Sequence, residues 1–256
     1  MMSTIWVFGD SFAHDITWGA DERVAEQQWH RSIAKKLGMS VQNFGLGGVS
    51  IEYCSYTWYD NRSKIKDDDL VIVVVTEINR RWLVEENPTL STAWLLEEGL
   101  YDERASSIQR KAMKFYFRYL HHNRAEKANL ENWMFNVQSI AAKGIKTLII
   151  SAFDPIEDLI DGFGDKFPNL EKANGLLGNA SHNEFTDQLK PLLVQDGRYN
   201  HLTIPNHHVL SDKIISWVNE NITVDLTTGF FKDVIKDPFF NYPDLLNPLK
   251  FKKTIF

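Results

Sequence analysis

The sequence predicts an α/β fold, a parallel sheet wound on both faces by helices, and three observations predict it. Short apolar runs alternate with helix-length amphipathic segments. Leu70-Val71-Ile72-Val73-Val74-Val75 is apolar at every position, as a strand covered on both faces requires, and a second strand-length run, apolar apart from Lys146 and Thr147, is Ile145-Lys146-Thr147-Leu148-Ile149-Ile150. Glycines close several segments, where a strand or helix must stop. The 256 residues suffice for one large domain with its own core.

Taken in order, Ile5-Trp6-Val7-Phe8 reads as a first buried strand, ended by Gly9-Asp10. Residues 23–37 place Val24, Trp29, Ile33, Ala34 and Leu37 at helical spacing, and Gly38 follows as a stop. A second short strand over 41–44 is broken by Gly45, Gly47 and Gly48, and 51–65 continue as a helix. After the core strand, a helix from about 130 to 142 and a stop at Gly144 lead into the run at 145–150. The expected domain spans 1–222, interrupted by a helical insertion at 81–129 and a loop insertion at 154–184. The first insertion carries an amphipathic helix at 104–121 with Ile108, Met113, Phe115, Phe117, Tyr119 and Leu120, suited to a cap or an oligomer face; the second reads as irregular. Residues 223–256, with Pro238, Pro243 and Pro248 among aromatics, form a C-terminal extension expected to pack on the domain or on a partner.

Composition narrows the function. A net charge of −6 opposes a surface built to neutralise phosphates, so nucleic acid is not expected as partner, and no apolar run approaches the roughly 20 residues of a membrane-spanning helix, so no membrane is expected either. The single cysteine, Cys54, rules out an internal disulfide and a cysteine-based zinc cluster, and its plain reading is a buried thiol. Met1-Met2-Ser3-Thr4 runs directly into the first strand without a basic segment, so no secretory signal is read and a soluble protein is expected. His14, His30, His121 and His122 show no metal-ligand spacing, and Asp67-Asp68-Asp69 reads as a solvated turn; no metal and no cofactor are expected.

In a doubly wound sheet the chemistry lies beyond the carboxyl ends of the strands, here after Phe8, Phe44, Val75 and Ile150. Gly9-Asp10-Ser11-Phe12 occupies the first of these loops, which exposes a hydroxyl and aims backbone N–H groups at a developing oxyanion. Alone, the tripeptide is in most occurrences an ordinary turn whose serine caps a helix. Asn43-Phe44-Gly45-Leu46-Gly47-Gly48 occupies the second loop, and Thr76-Glu77-Ile78-Asn79 the third. Near the end of the chain, His201 precedes a segment that reads as a helix running to about Asn221.

These blocks, in this order, resemble those of the SGNH (GDSL-like) hydrolases. The resemblance implies a flavodoxin-like three-layer α/β/α sandwich and ester hydrolysis through an acyl-serine. It implies Ser11 as nucleophile, Gly48 as an oxyanion-hole N–H, Asn79 as a side-chain donor to the oxyanion and His201 as the base, with His208 the second choice. His207 and His208 are otherwise read as partly exposed. The third block lacks the family's glycine, so Thr76 or Arg80 could donate in place of Asn79. Arg198 stands where the family has the aspartate that orients its histidine; Asp196 could serve from a bulged loop, a backbone carbonyl could do so instead, and Arg198 could meet an anionic substrate group.

The family's range, with Trp18, Trp58, Trp82 and Trp94 near these loops, suggests a small acyl ester, an O-acetyl group on a carbohydrate, although core packing is the plain role of any one tryptophan. The sequence is also similar in style to SGNH-like proteins encoded by bacteriophages. That likeness keeps open a weakly active or inactive virion or surface module that binds glycan or serves assembly, with homo-oligomer or virion contacts through the insertion and the tail. The expected location is cytoplasmic, or the virion for a phage protein. A nucleotide-binding reading is disfavoured by the acidity and by the lack of a Gly-x-Gly-x-x-Gly run.

Overall fold

A computed structural model describes residues 2–15, 25–78, 80–82, 107–153, 156, 169–178, 202 and 204–230. Strands β1 (Thr4–Phe8), β2 (Ser40–Asn43), β3 (Leu70–Val75), β4 (Lys146–Ser151) and β5 (Leu170–Lys172) form one sheet in the order β2-β1-β3-β4-β5. Every pairing is parallel. Helices α1 (Trp29–Leu37), α2 (Ile51–Asn61), α3 (Ser107–Tyr119), α4 (Asn123–Ala141) and α5 (Ile204–Glu220) accompany it, and a short 3₁₀ turn, Arg62–Lys64, extends α2.

The two-residue period of the strands explains the layers. Ile5, Val7, Ile72, Val74, Leu148 and Ile150 face α1 and α5, in one cluster with Trp29, Ile33, Leu210 and Ile214. The alternate residues Trp6, Phe8, Val71, Val73, Val75 and Ile149 face α2 and α4, in a second cluster with Ile51, Trp58, Leu130, Trp133 and Met134. Both faces of β3 are therefore dry, and all six of its residues are buried. At about 1.5–3 kcal/mol for each large apolar side chain, these two clusters are the main stabilising term of the fold. The strand order, with a reversal between β1 and β3, is that of a flavodoxin-like α/β/α sandwich, as expected.

Several local readings change. The helix read over 104–121 is Ser107–Tyr119, and its apolar residues do not all turn inward: Met113 is buried, whereas Ile108, Phe115, Tyr119 and Leu120 are exposed. The helix read over 130–142 begins earlier, at Asn123, where the His122 side chain accepts the Ala125 N–H as a cap. The stretch 154–184, read as irregular, contains strand β5, only three residues long and below the length at which periodicity speaks. The segment after α5 packs back onto the body: Val224 and Leu226 are buried, and Asp225 bridges to Asn174.

Asp67 and Asp68 stand exposed in a turn, as read, but Asp69 departs from that reading. It is buried, and its carboxylate accepts hydrogen bonds from the Thr4 N–H (2.8 Å), the Trp6 indole N–H (2.8 Å) and the Lys66 N–H (2.9 Å), fastening the start of β1 to the start of β3. Asp69→Ala leaves these donors without their acceptor and is expected to cost about 2–3 kcal/mol. The loss will appear in urea unfolding as a lower midpoint with an unchanged slope.

Candidate active site

Because all five strands are parallel, their carboxyl ends share one edge, and the loops after Phe8, Asn43, Val75 and Ser151 meet there. The residues that follow β1 form a tight turn rather than a full helix: the N–H groups of Ala13 and His14 both donate to the Asp10 carbonyl at 3.0 Å. Ser11 sits in this turn, 7% exposed. Phe12 and Ala13 point into the core beside α1 and α5.

Asp10 is completely buried. One carboxylate oxygen accepts the Phe12 N–H at 3.0 Å, closing an Asx turn around Ser11. The other accepts from the Thr76 hydroxyl (3.1 Å) and from an Arg80 Nη1–H (3.3 Å), both in the loop after β3. Arg80 also donates to the Thr76 hydroxyl at 3.0 Å, and Thr76 Oγ1 lies 3.2 Å from the Val49 carbonyl, next to Gly48. A polar network thus joins three of the loops beneath the serine.

The second loop is moored on the Ser11 turn. Asn43 donates to the Ala13 carbonyl at 2.6 Å and accepts the Gly45 N–H at 2.8 Å; the Leu46 N–H donates to the Gly9 carbonyl, and the Gly47 N–H to His14 Nδ1 at 3.2 Å. This packing dictates glycine at 45, where a Cβ would stand 2.5 Å from the Ala13 carbonyl carbon and 2.7 Å from the His14 nitrogen. Gly9 is equally close-set, since a Cβ there would lie 2.7 Å from that of Val74. Gly48 follows with φ 76°.

Behind the turn, buried His30 directs Nε2 at Asp15 (2.7 Å), so that nitrogen carries the proton. Arg31 grips the same carboxylate with Nε and Nη2, each at 3.0 Å. Burial pushes the Asp15 carboxyl up, but the hydrogen bonds from His30 and Arg31 outweigh it and hold the group well below the usual aspartate range. Burial pushes His30 down, against the pull of Asp15.

Trp29 connects the turn to the far end of the chain. Its indole N–H donates to the Phe12 carbonyl at 2.9 Å, and its backbone N–H to His207 Nδ1 at 3.4 Å in the first turns of α5. His207 is therefore buried, not partly exposed as its sequence neighbourhood suggests, because α1 packs over this end of α5. His208 is half-buried, 3.4 Å from Gln27. Leu202 is buried in the same cluster as Phe12 and Ala13.

On the other side, Arg81 joins Glu52, Glu126 and the Tyr116 hydroxyl, tying α2, α3 and α4 together. Burial pushes the Glu126 carboxyl up to about 7, with Arg81 opposing and Glu52 adding to the rise. Trp82 meets Tyr53 and Tyr56 edge-on at 5.7 and 5.8 Å. Trp58 lies in the core, the plainer of its two readings, and Cys54 is the buried thiol expected.

Of the residues named from the sequence, Ser11 and Gly48 stand in the converging loops, with Thr76 and Arg80 beside Asp10. Asn79, Asp196, Arg198 and His201 lie outside the described residues, as do Trp18 and Trp94. Sequence reasoning missed the part played by the Asp10, Asn43 and Asp15 side chains. Asp10 and Asn43 lay inside the quoted motifs, but only tertiary contacts reveal that their side chains join loops.

No helix among the described residues is long and apolar enough to cross a membrane. No protein-family model and no curated protein matches the chain. Among solved structures, the chain is similar to a member of the lipolytic protein G-D-S-L family from Veillonella parvula DSM 2008, at 10% identity, covering 85% of this chain and 99% of that one with a TM-score of 0.44. It is also similar to the psychrotrophic esterase EstA from Pseudoalteromonas sp., at 11% identity, covering 85% and 100% of the two chains, again with a TM-score of 0.44.

The Asp15 pairing has a pH signature. With its native pKa depressed, the group adds stability that is full above the unfolded-state value of about 3.9 and is lost as the pH falls through the native value. Asp15→Asn is expected to be less stable than wild type at neutral pH, with the gap narrowing below about pH 4. Urea midpoints measured across an acid series will show it.

Proposed function

We propose that the protein is a serine esterase of SGNH type in which Ser11 attacks a small acyl ester. The observation that carries the reading is the setting of Ser11: a tight turn at the carboxyl end of β1, braced by the Asp10 carboxylate, with the Gly48 loop moored against it. A second feature supports the choice of base. Leu202, the neighbour of His201 in the chain, shares a core cluster with Phe12, and α5 is tied to the Ser11 turn through Trp29.

In the proposed reaction His201 takes the Ser11 proton as Oγ bonds to the carbonyl carbon, and the charge moves to the carbonyl oxygen. The N–H groups of Ser11 and Gly48, with the Asn79 side chain, stabilise that oxyanion. Collapse breaks the bond to the alcohol, which leaves with the proton from His201. Water then repeats the sequence on the acyl-serine and releases the acid. Asp196 orients the imidazole in this scheme. The half-buried rings of Trp82 and Tyr53 and the exposed ring of Tyr56 favour an ester carried on a carbohydrate, an O-acetyl group foremost, since sugar faces stack on aromatic ones.

Fluorophosphonate labelling and turnover of 4-nitrophenyl acetate test the assignment. Ser11→Ala is expected to abolish labelling, and Ser11→Ala and His201→Ala each to lower kcat by about 10³-fold or more while the unfolding midpoint stays close to wild type. Equal labelling of wild type and Ser11→Ala would reject Ser11 as the nucleophile, and a wild type that neither labels nor turns over ester would reject the enzyme in favour of a binding module.

A further inference from the structure

We propose that Arg80 is a positioning residue for Ser11: paired with Asp10 across the loops, it holds the buried carboxylate against the Phe12 N–H and so sets the turn that presents the serine hydroxyl. The proposal rests on the reading of Ser11 as nucleophile.

Asp10 is 0% exposed, and a buried carboxylate without a compensating charge costs several kcal/mol. Among the described residues three groups donate to it: the Phe12 N–H, the Thr76 hydroxyl and Arg80, of which only Arg80 carries charge. The Arg80 side chain is itself 13% exposed and held from several directions. Its Nε lies 3.4 Å from Glu77, its Nη1 donates to Thr76, and its guanidinium stands 4.9 Å over the Phe153 ring, which packs edge-on against Phe12 at 5.7 Å.

Arg80 therefore bears on both chain neighbours of Ser11, on Asp10 by charge and on Phe12 through Phe153. Thr76 carries the same network to Val49, beside Gly48. The nearby buried Cys54 thiol is pushed up by burial, with the Asp10 charge adding to the rise and the Arg80 charge opposing it. A lysine would keep the charge but not the planar group that donates from Nη1 to Asp10 and Thr76 while setting Nε beside Glu77 and lying on Phe153.

The test compares Arg80→Met, Arg80→Lys, Asp10→Asn and the Asp10→Asn/Arg80→Met double variant. Three readouts are used: fluorophosphonate labelling of Ser11, kinetics on 4-nitrophenyl acetate, and hydrogen exchange of the Phe12, Ala13 and His14 amides. Arg80→Met is expected to slow labelling and kcat by about 10- to 100-fold, since a small misplacement of the nucleophile suffices for that. KM should stay within about two-fold, because the group does not touch substrate. The three amides should exchange faster. Arg80→Lys should recover part of the rate, since it restores the charge but not the planar group. The double variant, which buries no uncompensated charge, should outperform Arg80→Met in both labelling and amide protection.

A raised KM with kcat intact would overturn the proposal by placing the guanidinium on substrate. Unchanged exchange in Arg80→Met, or a double variant no better than the single one, would overturn it too. Should wild-type Ser11 neither label nor turn over ester, the esterase reading falls, and the exchange measurement still decides whether Arg80 sets the turn.

Discussion

A parallel sheet dry on both faces is the constraint from which the rest of this protein follows. Its strands must be apolar at successive positions, as Leu70–Val75 is, and each must return to the same side through a crossover. Every strand then ends at one edge. Loops far apart in sequence, at residues 9–15, 44–50 and 76–82, are brought together there without any of them having to be long.

At that edge apolar burial gives way to a polar problem. Asp10 is carried into the interior by the same strand that buries Phe8, and its charge must be met by groups from elsewhere in the chain. Thr76 and Arg80 meet it. The solution has a structural by-product, because a carboxylate that needs three donors from two loops also locks those loops in register. Asn43 does the same with a neutral amide, joining the Ser11 turn to the glycine loop with one donor and one acceptor. Asp69 closes the opposite end of the sheet in the same way.

The outer layers follow a looser logic. The helices on the sheet bury one stripe each, while α3 leaves Phe115 and Tyr119 in water and is anchored by Met113 and by Tyr116, whose hydroxyl accepts from Arg81. Two consecutive arginines divide the work: Arg80 serves the loops at the strand ends and Arg81 the helices behind them.

The fold class was legible because it is written in local periods. Apolar runs of strand length, amphipathic segments of helix length and the glycines between them place β1 to β4 and α2 close to where they stand, and the end of α1 at Gly38 though not its start, read at 23 and found at Trp29; the position of Ser11 at the end of β1 follows from those runs alone. Strand β5 was not legible, since three residues carry no period and its pairing with β4 exists only in the assembled sheet. The burial of Asp69 and His207 was also hidden, because charge and polarity suggest solvent unless partners arrive from distant segments, as Trp6 and Trp29 do. By itself, then, the sequence determined the layers, the edge at which the loops gather and the residue types offered there. Tertiary structure alone decided which polar side chains are buried and what they hold, because a hydrogen bond between residues 66 positions apart, such as that from Thr76 to Asp10, leaves no local pattern in the chain.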